Sequence, residues 1–367
     1  MKILYDHQIF AGQVYGGISR YFTELIGGLH LDKNLKVKLS LIYSENFYIK
    51  DLDFCKCLSF LSGKNFKGKD RLLRFFHNLN RLNSVLSLKR KKFDIFHPTE
   101  YDPYFLDYIE DKPFVLTVYD MIHEIFYDKY FLGSEPFIKN KKKLIEKASK
   151  IIAISHNTKK DIIKLYSVNP DKIEVVHLAN SLDLTKITKI KTPERFILFI
   201  GGRGRYKNFA LFFKAVLPIL QKDKTLYLIC VGNEFTVTEK LLFKENDISE
   251  KIKHYILDDS ALTYLYSKAL AFVFSSLYEG FGIPILEAFN CGCPVALSKA
   301  SCFPEIAQDG ALYFDPNNSE SIKDIVEALI YDDNVRSKQI KLGLARAKNF
   351  SWRNTVIKTS EVYKSIL

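Results

Sequence analysis

Sulfur and tryptophan are scarce in this chain. Its 367 residues include one Trp, two Met and six Cys, and no apolar run approaches the roughly 18 residues that a membrane-spanning helix needs. The cysteines, at positions 55, 57, 230, 291, 293 and 302, form two C-x-C pairs with no C-x-x-C and no histidine at zinc-finger spacing. That pattern excludes the common zinc and dithiol motifs. Cys230 lies in the apolar run Leu226–Val231, so the thiols are expected to be free and to pack as small hydrophobes, as in a reducing compartment. Met1–Asp6 turns polar at once, which reads as a first strand and not as a signal peptide. Acid is also in deficit: 42 Asp and Glu face 54 Lys and Arg, a formal charge of +12. Such an excess favours anionic surfaces, whether lipid or nucleic acid.

The chain is longer than the ~250–300 residues at which single cores stop growing, so two domains are expected. Strand-like apolar runs alternate with helical patterns throughout, the signature of parallel α/β units. In the first half the runs are 2–5, 36–42, 93–97, 114–118, 151–154 and 173–176. In the second they are 195–200, 226–231, 252–256, 271–274, 294–297 and 311–314. The segment 184–193, with interleaved Lys and Thr and a terminal Pro193, reads as a linker. The expected domains are therefore 1–183 and 194–351, two Rossmann-like doubly wound units facing across a cleft. A last helix over 352–367 presents Trp352, Val356, Ile357, Val362, Tyr363 and Ile366 mostly on one face.

The most informative stretch is Glu279-Gly280-Phe281-Gly282-Ile283-Pro284-Ile285-Leu286-Glu287. It follows a buried strand, and Pro284 sits where a helix begins. A strand, a glycine loop and a helix start aim free N–H groups and a positive dipole end at one point, which suits phosphate. Two carboxylates beside an anion site make sense if they bind hydroxyls. A nucleotide-sugar carries both groups. A second glycine loop, Gly201 to Asn208, holds Arg203 and Lys207 as candidate pyrophosphate cations. Gly202 and Gly204 begin a G-x-G-x-x-G pattern, but Lys207 replaces its last glycine, which argues against a dinucleotide-binding dehydrogenase. Gly16-Gly17 precede a helix pattern containing Arg20, and Asp120 and His97 end apolar strands. Asp120 is also a natural helix cap. Asp51-x-Asp53 follows no strand and is read as solvated, not as a metal site.

These motifs, continuing through 288–296 and Pro304-Glu305-Ile306, resemble the family-four retaining glycosyltransferases of the GT-B fold, most densely from 196 to 314. The resemblance implies that Glu287 binds the ribose diol and Glu279 the donor sugar. It assigns Arg203, Lys207 and the Gly280–Phe281–Gly282 amides to the donor diphosphate. It puts Gly16 and Gly17 beside donor and acceptor, and the last helix back on the first domain. Asp120 would contact a sugar or acceptor hydroxyl, with Arg20, His97 and Tyr119 as acceptor candidates. Many relatives carry His where this chain has Tyr119. No covalent nucleophile stands out, and retention in the family is described as same-face attack through an ion-pair-like transition state, with no metal or other cofactor. The start Tyr5-Asp6-His7-Gln8 and the run Gly16–Tyr21 are similar to mannosyl- and rhamnosyl-type transferases of bacterial surface polysaccharide assembly, which leans the donor toward GDP-mannose over UDP-sugars.

The partner expectations follow from charge. From Lys64 to Lys92 there are ten basic residues against one acid, Asp70, while Leu72, Phe75, Phe76, Leu79, Leu82 and Leu86 recur at helical spacing. A helix of that kind lies on an anionic bilayer, or packs its apolar face on its own sheet. The expected acceptor is a glycan or lipid-linked glycan, and the expected location the cytoplasmic face of the inner membrane. A basic nucleic-acid-binding protein with stacking aromatics is the rival, disfavoured by carboxylates that would repel phosphodiesters. A sugar-nucleotide epimerase is the alternative within the fold.

Overall fold

The computed structural model describes residues 1–64 and 66–367. Residue 65, inside the basic 64–92 segment, lies outside the described residues. The chain forms two compact units, Met1–Leu178 with Trp352–Leu367, and Ala179–Ser351. Residues 184–193 thus count with the second unit, to which they are tied by Thr188–Ser260 hydroxyl pairing (2.8 Å) and by Tyr255 Oη donating to the Lys191 carbonyl (3.0 Å).

All twelve strand-like runs form strands. The first unit holds β1 (Lys2–Tyr5), β2 (Lys36–Leu39), β3 (Ile95–His97), β4 (Val115–Val118), β5 (Lys150–Ala153) and β6 (Ile173–Val175). They run parallel in the orders β2-β1-β3 and β4-β5-β6, joined by one parallel bridge between Phe96 and Phe114. The second unit holds β7 (Arg195–Ile200), β8 (Leu226–Val231), β9 (Ile252–Tyr255), β10 (Ala271–Phe274), β11 (Val295–Ser298) and β12 (Leu312–Phe314). Its order is β12-β11-β10-β7-β8-β9, the doubly wound arrangement that reverses direction between its first and fourth strands. Strands such as Phe196–Phe199 and Ala271–Phe274 are apolar at every position because helices cover both faces of a parallel sheet. The core beneath gathers Ile197, Phe199, Val216, Leu228, Val273 and Val326.

In the first unit, buried polar groups do work that apolar contacts usually do. His97, fully buried at the end of β3, bonds the Tyr363 hydroxyl through Nδ1 (2.6 Å) and Thr117 through Nε2 (2.9 Å). Tyr363 also meets Tyr5 (2.5 Å), and Thr117 meets Tyr21 (3.1 Å). This chain fastens the last helix, Trp352–Lys364, to the sheet. Val356 of that helix lies so close to Gly28 that a Cβ there would sit 2.5 Å from its Cγ2. A side chain at 28 would push the two helices apart.

The helix Lys69–Lys89 splits the expected apolar stripe. Leu72, Phe76 and Leu79 are half-buried, with Phe76 stacked on Tyr43 (4.2 Å), while the fully buried positions are Asn80, Ser84, Ser87 and Leu88. Asn80 Oδ1 accepts from the Ile42 and Tyr43 amides (2.8 and 3.1 Å), and its Nδ2 donates to the Tyr43 carbonyl (2.8 Å). Ser84 bonds His7 and Ser40 (both 2.8 Å). Phe75, Leu82 and Leu86 face solvent instead, and Phe75 is 55% exposed. Because Asn80 satisfies three backbone groups at once, Asn80→Ala is expected to lower unfolding free energy by about 2 kcal/mol, read as a fall in the urea midpoint at unchanged far-UV circular dichroism.

Candidate functional site

The strand reversal in the second unit falls between β7 and β10, where ligands of doubly wound sheets bind. The loops leaving those two strands are the glycine segments at 201–208 and 275–282. They are laced together: Leu277 N donates to the Tyr206 carbonyl (2.7 Å), and Ser275 Oγ to the Lys207 carbonyl (2.8 Å). Lys207 Nζ then reaches Glu279 Oε1 at 2.6 Å, and the Glu279 backbone is anchored by its N–H donating to Ser301 Oγ (3.0 Å). Gly282 has φ +86°, and a Cβ there would come within 2.9 Å of Ile285 and 3.2 Å of Phe303. Only glycine turns the chain at that point into the helix Ile283–Asn290. Phe281 is buried against Phe350, ring centroids 5.9 Å apart, so its part in the site is to hold the turn and its amide.

Glu287 lies one turn into that helix and is only 7% exposed. Its Oε2 accepts from the Tyr266 hydroxyl (3.0 Å), a partner that the sequence reading did not pick out. Tyr266 comes from the helix Asp259–Lys268, and no spacing signal links it to Glu287. The loop therefore presents one cation, two carboxylates and the start of a helix.

Arg203 departs from its expected place. Its Nε and Nη2 hold Glu239 (2.7 and 3.3 Å), while Nη1 and Nη2 donate to the Asn233 and Glu234 carbonyls (both 2.7 Å). Its side chain is 5% exposed. These partners follow β8, which lies on the opposite side of β7 from β10. Arg203 and Lys207 thus diverge, and Arg203 braces the glycine loop. Glu239 also accepts from the Thr236 amide in a capping box; Thr-x-x-Glu spacing marks that role in the sequence, but not the Arg203 contact. Arg205, in the same loop, is exposed. Burial pushes the Glu239 carboxyl up, yet the bonds from Arg203 and Thr236 outweigh it and hold the group below its ordinary value. A depressed carboxylate stabilises above its unfolded value and loses that contribution as pH falls through the folded one. Stability should therefore drop below about pH 4.3, and Glu239→Gln should flatten part of that fall in denaturation midpoints measured from pH 6 to 3.

The first unit has its own reversal, between β1 and β3. There the buried Asp6 binds the Thr99 amide and hydroxyl (2.9 and 2.7 Å) and Tyr104 Oη (3.1 Å). Gly16 and Gly17 open the helix Gly17–His30, and the Gln13 side chain folds over Gly16, its Oε1 accepting from Ser19 N (3.2 Å). Arg20 lies over the Tyr48 ring at 4.8 Å. Asp120 spends one oxygen on the Ile122 amide (3.0 Å), a turn cap. Two acceptor candidates are corrected. His97 has both nitrogens in the buried chain described above, and burial pushes its imidazole down to about 3. Tyr119 is buried, with its hydroxyl on the Thr99 carbonyl (3.2 Å). Glu100, missed in the sequence, follows β3 and is lifted by burial to about 7, with Asp120 and Asp6 adding to the shift against a Tyr101 backbone bond and Lys141.

Comparison with known proteins covers nearly the whole chain. The family model described as Glycosyltransferase Family 4 matches residues 15–183, and that described as Glycosyl transferases group 1 matches residues 181–345. The chain is 28% identical to the O-antigen chain mannosyltransferase B of Escherichia coli, over 95% of this chain and 96% of that one. In fold it is similar to a glycosyltransferase from Rickettsia africae, with TM-score 0.71 and 20% identity over 100% of this chain and 98% of the other. It is likewise similar to the Anabaena protein HepE solved with UDP and glucose, with TM-score 0.73 and 17% identity over the full length of both. Two Rossmann-like units, each matched by its own half of the family, make this chain a member of the family-four glycosyltransferases, enzymes of the GT-B fold.

Proposed function

We propose that the second unit binds a nucleotide-sugar and that the enzyme moves its hexose, with retention and without a metal, to a glycan or lipid-linked glycan of surface polysaccharide. The observation that carries the reading is the Lys207–Glu279 pair beside the Gly282 turn and Glu287. A departing nucleoside diphosphate gains charge as the glycosidic bond loosens. Lys207 and the amides of the turn and helix start favour that state over the ground state. Glu279 holds sugar hydroxyls, and Glu287, oriented by Tyr266, holds the ribose diol. Arg203 contributes by fixing the loop that carries Lys207. Likeness to an O-antigen mannosyltransferase supports mannose from GDP-mannose as the transferred group; the UDP bound by HepE keeps UDP-sugars as the next choice.

The same proposal places the enzyme on the cytoplasmic face of the inner membrane, with no nucleic acid among its partners. Among the described residues no helix is long and apolar enough to cross a membrane. Support for peripheral docking comes from the outward apolar side chains of the 69–89 helix, flanked by exposed Arg71 and Arg74 and by exposed Phe60 and Phe66. A surface both greasy and cationic gains from hydrocarbon contact and from anionic headgroups together.

A thermal-shift panel of GDP, UDP, dTDP and ADP in EDTA tests the donor site. One diphosphate should stabilise the protein clearly, and Glu287→Ala should weaken its binding about tenfold or more, as expected for a lost hydrogen bond to a charged group. Silence from all four would remove the donor assignment. Co-sedimentation with phosphatidylglycerol and phosphatidylcholine vesicles tests docking. Binding should require the anionic lipid and fall at high salt, and the Phe75→Ser, Leu82→Ser double variant should lose about tenfold or more through buried apolar area. Equal binding by the double variant would place the docking surface elsewhere.

A further inference from the structure

Residues 13–17 and 42–51 of the first unit form one braced surface. Asn46 Nδ2 donates to the Gln13 carbonyl (2.7 Å), Phe47 N to the Val14 carbonyl (2.9 Å), and Tyr48 N to Asn46 Oδ1 (3.0 Å). These bonds assemble three aromatic rings from two separate segments. Tyr15 stacks on Phe47 with centroids 4.9 Å apart and planes 26° from parallel. Tyr48 meets Tyr15 edge-on at 6.1 Å and 88°. Cations close the rim: Lys50 Nζ lies 3.7 Å from the Phe47 ring centre, and the Arg20 guanidinium 4.8 Å from that of Tyr48. Tyr15 itself remains 61% exposed, with Val14 beside it at 49%.

Backbone and side-chain bonds brace the cluster while Tyr15 and Val14 stand in solvent. Its position supplies a reason. Tyr15 immediately precedes Gly16, in the connection that leaves the carboxyl end of β1. The order β2-β1-β3 makes that end the reversal point of this unit's sheet, where ligands of such sheets bind. An aromatic face is electronegative at its centre and matches the C–H face of a pyranose. A bilayer is the competing occupant, but here the cationic heads are folded over the rings and do not project toward headgroups.

We propose that Tyr15, backed by Phe47 and Tyr48, is the stacking platform for a sugar ring of the acceptor. The proposal rests on the glycosyltransferase reading of the chain and is independent of which nucleotide the second unit binds.

The full-length protein can be tested by saturation-transfer NMR with mannotriose and N,N′-diacetylchitobiose as probes, and in parallel with phosphatidylglycerol vesicles. At least one saccharide should receive saturation on one ring face. Tyr15→Ala should weaken it about fivefold to tenfold, the scale of one aromatic contact, and Tyr15→Phe should keep wild-type binding. Nucleoside-diphosphate stabilisation should be the same in all three proteins, which separates this surface from the donor site and shows that the variants are folded. Loss of vesicle binding in Tyr15→Ala with saccharide binding intact would make the platform a membrane contact and overturn the proposal. So would the absence of saturation transfer to either saccharide in the wild type. Saccharide binding without any nucleotide response would instead fault the donor reading and leave this one standing.

Discussion

The ion pair between Lys207 and Glu279 joins side chains 72 residues apart, and it exists because β7 and β10 are neighbours in the sheet. The reversal of winding at that junction leaves two loops side by side with no crossover helix above them. Everything proposed for the donor follows from that constraint. The cation comes from one loop, the carboxylate and the helix start come from the other, and backbone bonds between the loops hold their spacing. Each half of the pair also protects its partner from being an isolated charge in a partly dry site, where a lone ion is costly.

Around that pair the structure divides its cations by role. Lys207, a compact charge on a flexible stem, faces β10 and remains partly exposed. Arg203, with a planar fork of donors, is enclosed by one carboxylate and two carbonyls on the β8 side. The division follows from the chemistry of the two side chains: a guanidinium satisfies several fixed acceptors at once, so it suits a brace, while an ammonium can turn toward a mobile ligand.

The first unit shows a related economy. Its last helix and its basic helix are held by hydroxyls, an imidazole and an amide more than by apolar ridges. Satisfied buried polar groups specify a single docking geometry. They also leave Phe75, Leu82 and Leu86 of the 69–89 helix available to the outside, and this makes a helix with outward apolar side chains compatible with a stable domain. Tyr15 and Phe47 follow the same logic on a smaller scale, since backbone bonds carry the fold and the rings are left to meet something else.

Central parallel strands buried on both faces are apolar throughout, and even edge strands such as β2, with its exposed lysines, stand as short runs between glycine, proline and polar breaks, so the strands were legible. The glycine at 282, the proline after it and the two flanking glutamates were legible for a similar reason: a tight turn into a helix admits few residue types. Direction was not legible. Helical periodicity in 69–89 located an apolar stripe, but how much of it faces the sheet depends on Asn80, Ser84 and Ser87 finding partners far away in sequence, at His7 after β1 and at Lys38, Ser40, Ile42 and Tyr43 within and after β2. Likewise, Arg203 and Lys207 look equivalent four residues apart, and His97 and Tyr119 look available at strand ends. Strand order and the distant partners Glu239, Tyr363 and Thr99 decided their fates, because a hydrogen bond is set by where both groups stand in space and the sequence gives only one of them at a time.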